Sequence, residues 1–171
     1  RALMVAGLVH ARQKRKGTDV PYLTHPSHVA MVLARHGFCE PVLVAAALHD
    51  VLEDIHAEDP VVQQSLRETF PGMREAPEDK DGFLVTFRRF LVAEFGDPVV
   101  AIVESVTDER HRPDGTRLPW EEAKRLSHER LASDRVPELA VALKAADSLH
   151  NARQIVNDLR AHGLPMMRRF N

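Results

Sequence analysis

Proline limits what this chain can build more than any other residue. Pro26, Pro41, Pro60, Pro98, Pro119 and Pro137 each stand at or near the start of a run with helical periodicity, where the missing N–H costs a helix nothing. Gly37, Gly72, Gly96 and Gly163 stand where such runs stop, as helix C-termini favour. The spacing predicts helices over roughly 1–15, 26–36, 41–55, 60–70, 80–95, 98–108, 119–133 and 137–162. Asp59 before Pro60 and Asp97 before Pro98 read as N-caps. No stretch alternates apolar and polar residues, and Asp114-Gly115 is flanked by polar residues rather than by two apolar runs. The fold class read from this punctuation is all-α, a helical bundle. The stretches 15–24 and 110–118 read as loops, the second turning at Pro113-Asp114-Gly115, and 72–82 reads as a mobile connection.

Composition narrows the function classes. With 171 residues, 44% of them hydrophobic, the chain reads as one domain over 1–171 with enough apolar side chains for a real core. A formal net charge of −2 argues against a nucleic-acid partner. Cys39 is the single cysteine, so neither an internal disulfide nor a thiolate zinc site is expected. No signal peptide and no apolar run of about 18 residues is visible, so the expectation is a cytoplasmic protein without a membrane partner.

One stretch departs from this ordinary background. Ala45-Ala46-Ala47-Leu48 leads directly into His49-Asp50-Val51-Leu52-Glu53-Asp54. On a continuous helix His49, Asp50, Glu53 and Asp54 would share one wall, and carboxylates four apart repel by a few tenths of a kcal/mol. No Lys or Arg lies between residues 36 and 66 to relieve them. A bound cation would turn that repulsion into attraction; the alternative is a wet helix end whose acids face solvent. In the run 137–162, Lys144, Asp147 and Asn151 fall on one stripe among apolar neighbours, so Asp147 needs a partner, either a cation or an ion pair within the stripe. His25 precedes Pro26 at a helix mouth. Two histidines and two aspartates from separate elements would form a nitrogen and oxygen donor set suited to Mn²⁺, Fe²⁺ or Zn²⁺.

The ordered set resembles the HD superfamily of metal-dependent phosphohydrolases, and most closely its alarmone hydrolase branch: the hydrolase domain of Rel/SpoT enzymes and its stand-alone small relatives. The stretches that carry the resemblance are Arg15-Lys16-Gly17, Pro21-Tyr22, Thr24-His25-Pro26 and Leu48 through Asp54. Phe95-Gly96, Val106-Thr107-Asp108, Lys144, Ala146-Asp147, Leu149-His150-Asn151 and Arg153 continue it. The resemblance implies that His25, His49, Asp50 and Asp147 ligate one divalent ion, typically Mn²⁺, with Zn²⁺, Fe²⁺ or Mg²⁺ as other candidates. It implies that Glu53 and Asp54 position or deprotonate the attacking water. Arg15, Lys16, Lys144, Asn151 and Arg153 would bind substrate, and the activity implied is hydrolysis of guanosine 3′,5′-bis(diphosphate), ppGpp, to GDP and pyrophosphate.

The sequence also departs from that pattern. Ser148 stands where the family commonly carries Arg or Lys, Gln154 where Thr is common, and 56–92 is longer than in compact relatives, reading as an insertion that caps the pocket or joins a homo-oligomer. Phe83, Phe87, Phe90 and Leu91 within it have the spacing of a buried helix face. No synthetase domain is expected in these residues. Two alternatives accompany the alarmone reading: a phosphohydrolase acting on another nucleotide, such as a nucleoside monophosphate or an NADPH-like dinucleotide, and a non-catalytic nucleotide-binding module. His150 reads as structural, and Tyr22 as packing its loop.

Overall fold

The computed structural model describes residues 1–109, 112, 114, 116–133 and 136–170. Its helices are α1 (Ala2–Val9), α2 (Thr24–Arg35), α3 (Glu40–Leu48), α4 (Val51–Asp54), α5 (Pro60–Thr69), α6 (Lys80–Phe95), α7 (Asp97–Val106), α8 (Trp120–Leu131) and α9 (Glu138–His162). Short 3₁₀ turns follow at Pro71–Met73 and Leu164–Phe170. Among the described residues there is no strand; an isolated antiparallel bridge joins Lys14 and Pro21. The fold is all-α.

Helix α3 is the hub, in contact with α1, α2, α7 and α9. Its Val42, Ala45, Ala46, Ala47 and Leu48 are all buried. Interhelical distance is set by the side chains at the contact, so three successive alanines let the neighbouring helices close around α3. That close approach brings the first turn of α2 and the middle of α9 to the C-terminal end of α3, where His49 and Asp50 follow.

The 56–92 stretch is built into the same core. Phe70, Phe83, Phe87 and Leu66 are almost wholly removed from solvent, in one apolar cluster with Val5 and Leu143. Each such side chain contributes about 1.5–3 kcal/mol of burial. The expectation of a mobile connection over 72–82 is not met. Met73 and Ala76 are buried, Gln63 Nε2 donates to the carbonyl of Glu78, and Arg67 donates to the carbonyls of Ala76 and Pro77.

Four local expectations need correction. The first helix stops at Val9 rather than near 15, because His10 is buried and the chain turns there, with Gln13 N–H on the His10 carbonyl. The run 41–55 is not continuous: it breaks at His49 and Asp50, the latter with its backbone at φ −97°, ψ −5°, and α4 restarts at Val51. Asp59 does cap α5, accepting from Val61 N–H at 2.8 Å. Asp97 does not cap α7, because Gly96, at φ +86°, already holds the N-cap position and Asp97 is the first helical residue. Gly72 lies inside a 3₁₀ turn, and a Cβ there would stand 3.1 Å from Phe90 Cδ2, so it serves ring packing rather than helix termination. Of the turn expected at Pro113-Asp114-Gly115, Pro113 and Gly115 lie outside the described residues.

Candidate metal centre

Four side chains from three parts of the chain converge at the end of α3. His25 enters from the first turn of α2, His49 and Asp50 from the break between α3 and α4, and Asp147 from the middle of α9. His25 Nε2 lies 3.1 Å from Asp147 Oδ1 and 3.6 Å from Asp50 Oδ2; His49 Nε2 lies 3.0 Å from Asp50 Oδ2 and 4.0 Å from Asp147 Oδ1. Ligand atoms of His25, His49 and Asp147 fall within 4.8 Å of one another, a spacing that could hold one metal ion. Asp50 Oδ2 faces the same two imidazole nitrogens.

Hydrogen bonds aim the imidazoles. His49 Nδ1 donates to the Ala46 carbonyl at 2.8 Å, which leaves its Nε2 as the lone-pair nitrogen in the neutral ring. That Nε2 is buried and has no hydrogen-bond partner. A buried polar atom left this way is costly unless something absent from the coordinates completes it, and a cation fits the two-nitrogen, two-carboxylate donor set. His25 Nδ1 is 2.8 Å from His150 Nδ1, the kind of second contact that fixes the orientation of a ligating imidazole. Tyr22 Oη donates to Asp50 Oδ2 at 2.8 Å, and Asn151 Nδ2 to Asp147 Oδ1 at 2.7 Å.

Electrostatics agree with the geometry. Burial opposes charge on His49, yet the adjoining Asp50 and Asp147 carboxylates outweigh it and raise its pKa to about 9. Burial likewise disfavours the Asp50 anion, but His49, His25 and the Tyr22 hydroxyl hold that carboxyl well below its usual range. Asp147 is lowered too, with His25, His49 and Lys144 outweighing its burial. Burial, then His25, Arg15 and His28, push His150 down to about 4, so it stands beside His25 as a neutral ring at ordinary pH. Asp50 and Asp147 are thus both held ionised at one buried point.

The acidic pair lies next to this cluster without forming the single wall expected of a continuous helix. Glu53 Oε2 accepts from the backbone N–H of Asp108 at 3.3 Å and lines a cavity of about 880 Å³. Asp54 Oδ2 instead accepts from Gln13 Nε2 at 2.8 Å, and Gln13 in turn receives His10 Nδ1 at 2.6 Å. Gln13 therefore supplies the partner that relieves the carboxylate repulsion the sequence implies.

The residues expected to meet substrate divide. Arg15 Nη2 donates to Asn151 Oδ1 at 2.8 Å, which couples it to Asp147. Lys144 Nζ lies 3.5 Å from Asp147 Oδ2 and 3.9 Å from Asp108 Oδ1. Arg15, Lys16, Asn151 and Gln154 line a small cavity of about 120 Å³. Arg153 is not brought to the cluster: it is exposed, and six residues along a helix place it well away from the Asp147 face. Tyr22, His150, Gln13, Asp108 and Lys124 take part although sequence reasoning gave them no role in the chemistry. Tyr22, His150 and Asp108 carried a signal, since they lie in the stretches that bear the resemblance; Gln13 and Lys124 carried none.

Comparison with known proteins places these observations. The HD-domain family profile matches residues 2–164. A curated relative, a probable GTP pyrophosphokinase of Mycobacterium leprae, is 33% identical over 153 residues, covering 90% of this chain and 15% of the relative. A guanosine-3′,5′-bis(diphosphate) 3′-pyrophosphohydrolase of Aquifex aeolicus is 31% identical over 110 residues, covering 61% of this chain and 16% of that protein. The chain therefore spans about one sixth of the length of these relatives. A solved structure described as a metazoan ortholog of SpoT that hydrolyzes ppGpp superposes with a TM-score of 0.62 at 28% identity, over 94% of this chain and 68% of that one.

Proposed function

From the premise that the chain belongs to the HD-domain family, we propose that it is a metal-dependent phosphohydrolase whose substrate is ppGpp, cleaved at the 3′ position to give GDP and pyrophosphate. The observation that carries the proposal is the convergence of His25, His49, Asp50 and Asp147 around a buried, unpartnered His49 Nε2. The named activities of the Aquifex relative and the metazoan structure support the substrate. We read 1–171 as a single HD unit with 56–92 as an insertion. Among the described residues no helix is long and apolar enough to cross a membrane, compatible with a cytoplasmic location.

His25, His49, Asp50 and Asp147 would hold one divalent cation, Mn²⁺ in this reading, with Zn²⁺, Fe²⁺ and Mg²⁺ as competitors. Such an ion, when bound, lowers the pKa of water and offsets phosphate charge. The chain's own residues do the rest. Glu53, at the edge of the large cavity, accepts the proton of the attacking water, while Asp54, engaged by Gln13, orients that water. The water oxygen joins the phosphorus bonded to the 3′ oxygen, that P–O bond breaks, and the 3′ oxygen takes a proton from solvent while Glu53 releases the one it accepted. Arg15 and Asn151, coupled to Asp147, position the nucleoside, and Lys144 neutralises phosphate charge beside Asp108.

A second reading keeps the chemistry and changes the nucleotide. Gln154 in the wall of the small cavity favours it, because a long amide there alters the shape and hydrogen bonding offered to a base. A metal-supplemented panel of ppGpp, nucleoside monophosphates and NADPH, with pyrophosphate and orthophosphate measured separately, tests both. The alarmone reading requires pyrophosphate from ppGpp, and Glu53→Gln must keep metal while losing turnover. Full turnover in Glu53→Gln on every substrate would remove Glu53 from the mechanism.

A further inference from the structure

The cavity of about 880 Å³ beside the metal centre is walled by Lys16, Glu53, Asp108, Arg117, Leu118, Pro119, Ala123 and Lys124. Its cations come from three separate places: Lys16 from the loop before α2, Arg117 from the segment before α8, and Lys124 from α8 itself. Glu53 joins it to the acidic pair, and Lys16 also lines the small cavity with Arg15 and Asn151. The two cavities thus share one lysine.

The charge pattern within the large cavity is specific. Asp108 stands between two ammonium groups: Lys124 Nζ at its Oδ2 and Lys144 Nζ 3.9 Å from its Oδ1, the latter shared with Asp147. Asp108 Oδ1 is buried without a hydrogen-bond partner, so the arrangement is not a closed ion-pair network. A lysine ammonium has three donors and a carboxylate engages one of them, which leaves Lys124 able to donate again. Arg117 is exposed at the rim, and its planar guanidinium can bind two phosphate oxygens at once.

We propose that this cavity is a diphosphate subsite in which Arg117 and Lys124 bind the pyrophosphate fragment that hydrolysis releases. A diphosphate spreads several negative charges along two linked phosphates, and Arg117 and Lys124, two cations lining one cavity, can each donate to one of them. The small cavity, near Asn151 and Gln154, takes the nucleoside; the large one, with Glu53 in its wall, takes the diphosphate that is transferred to water. The product role rests on the alarmone reading above, whereas the anion site is independent of turnover.

The test is calorimetric titration of inorganic pyrophosphate into the full chain under chelation, so that neither turnover nor added metal enters. Wild type is expected to bind one pyrophosphate, and more tightly than orthophosphate. Arg117→Gln and Lys124→Gln should each weaken binding about tenfold or more, the scale of one lost charge-assisted hydrogen bond, while Arg117→Lys should restore part of it. Arg125→Gln removes the same charge from the exposed face of α8, where Arg125 pairs with Glu129, and should leave binding unchanged. Circular dichroism of each variant separates lost binding from lost fold, and the outcome turns on Arg117, whose exposure makes its substitution the gentlest on the fold. Absence of pyrophosphate binding in wild type, or wild-type affinity in folded Arg117→Gln, overturns the subsite. If pyrophosphate binding depends on Arg117 but ppGpp is not hydrolysed, the subsite stands and the alarmone reading falls. If ppGpp is hydrolysed and folded Arg117→Gln shows unchanged pyrophosphate inhibition, the reverse holds.

Discussion

The wall at the end of α3 and the 56–92 stretch are opposites in how they use burial. Around Phe70, Phe83 and Phe87 the buried groups are apolar, and the polar ones, such as Gln63 and Arg67, have their partners. Around His49 the buried groups are imidazoles and carboxylates, one nitrogen has no hydrogen-bond partner, and two carboxylates face the same imidazole nitrogen. A region selected only for stability would resemble the first, because uncompensated polar burial costs free energy. The second retains that cost, and the difference supports the proposal that chemistry happens there.

The comparison can be broken at either end. Asp50→Ala should produce the largest functional effect, removing metal binding and turnover together while the helical spectrum persists; a variant that still binds one Mn²⁺ and turns over would show that the wall is not a metal centre. Phe87→Ala should produce the largest effect on folding, about 3–5 kcal/mol in denaturant unfolding, with the metal stoichiometry of the folded fraction unchanged. A smaller effect is expected of Tyr22→Phe, which removes only the hydroxyl on Asp50. Metal affinity should fall about tenfold, as for other residues that orient a ligand, and an unchanged affinity would return Tyr22 to a packing role.

The smallest effect is a pH dependence. Burial raises the Asp108 pKa, but Lys124, Ser127 and Lys144 outweigh it and hold the carboxyl below its usual range. A carboxyl with a lowered folded-state pKa contributes stability that is present above the unfolded value and lost as pH falls through the folded one. Asp108→Asn should therefore flatten the acid limb of the stability profile relative to wild type. An equally steep limb would show that Asp108 contributes nothing there.

Much of this was visible in the residues themselves, and what was hidden shares one cause. Proline marks the starts of α2, α3, α5, α7, α8 and α9, because it acts on the backbone wherever it stands. Neither the end of α1 nor the break at His49 carries a breaker: Ala11 to Lys16 and Ala47 to Leu52 are all helix-compatible, and tertiary contacts decide. His10 and Gln13 leave the helix to reach Asp54, and His49 turns its ring onto the Ala46 carbonyl. His25, His49, Asp50 and Asp147 stand out because polar groups among apolar neighbours need a reason. Gln13 and Lys124 are ordinary residues in a loop or on a polar helix face, and only their placement gives them a role. Arg153 shows the converse: adjacency in sequence to Asn151 did not bring it to the same face of α9.

Titration of Mn²⁺ into wild type and into Asp147→Ala, followed by calorimetry with the bound ion counted by electron paramagnetic resonance, tests the central claim most directly. One ion per wild-type chain and none in the folded variant is the predicted result. Wild-type stoichiometry in Asp147→Ala, or no binding in wild type, would contradict it.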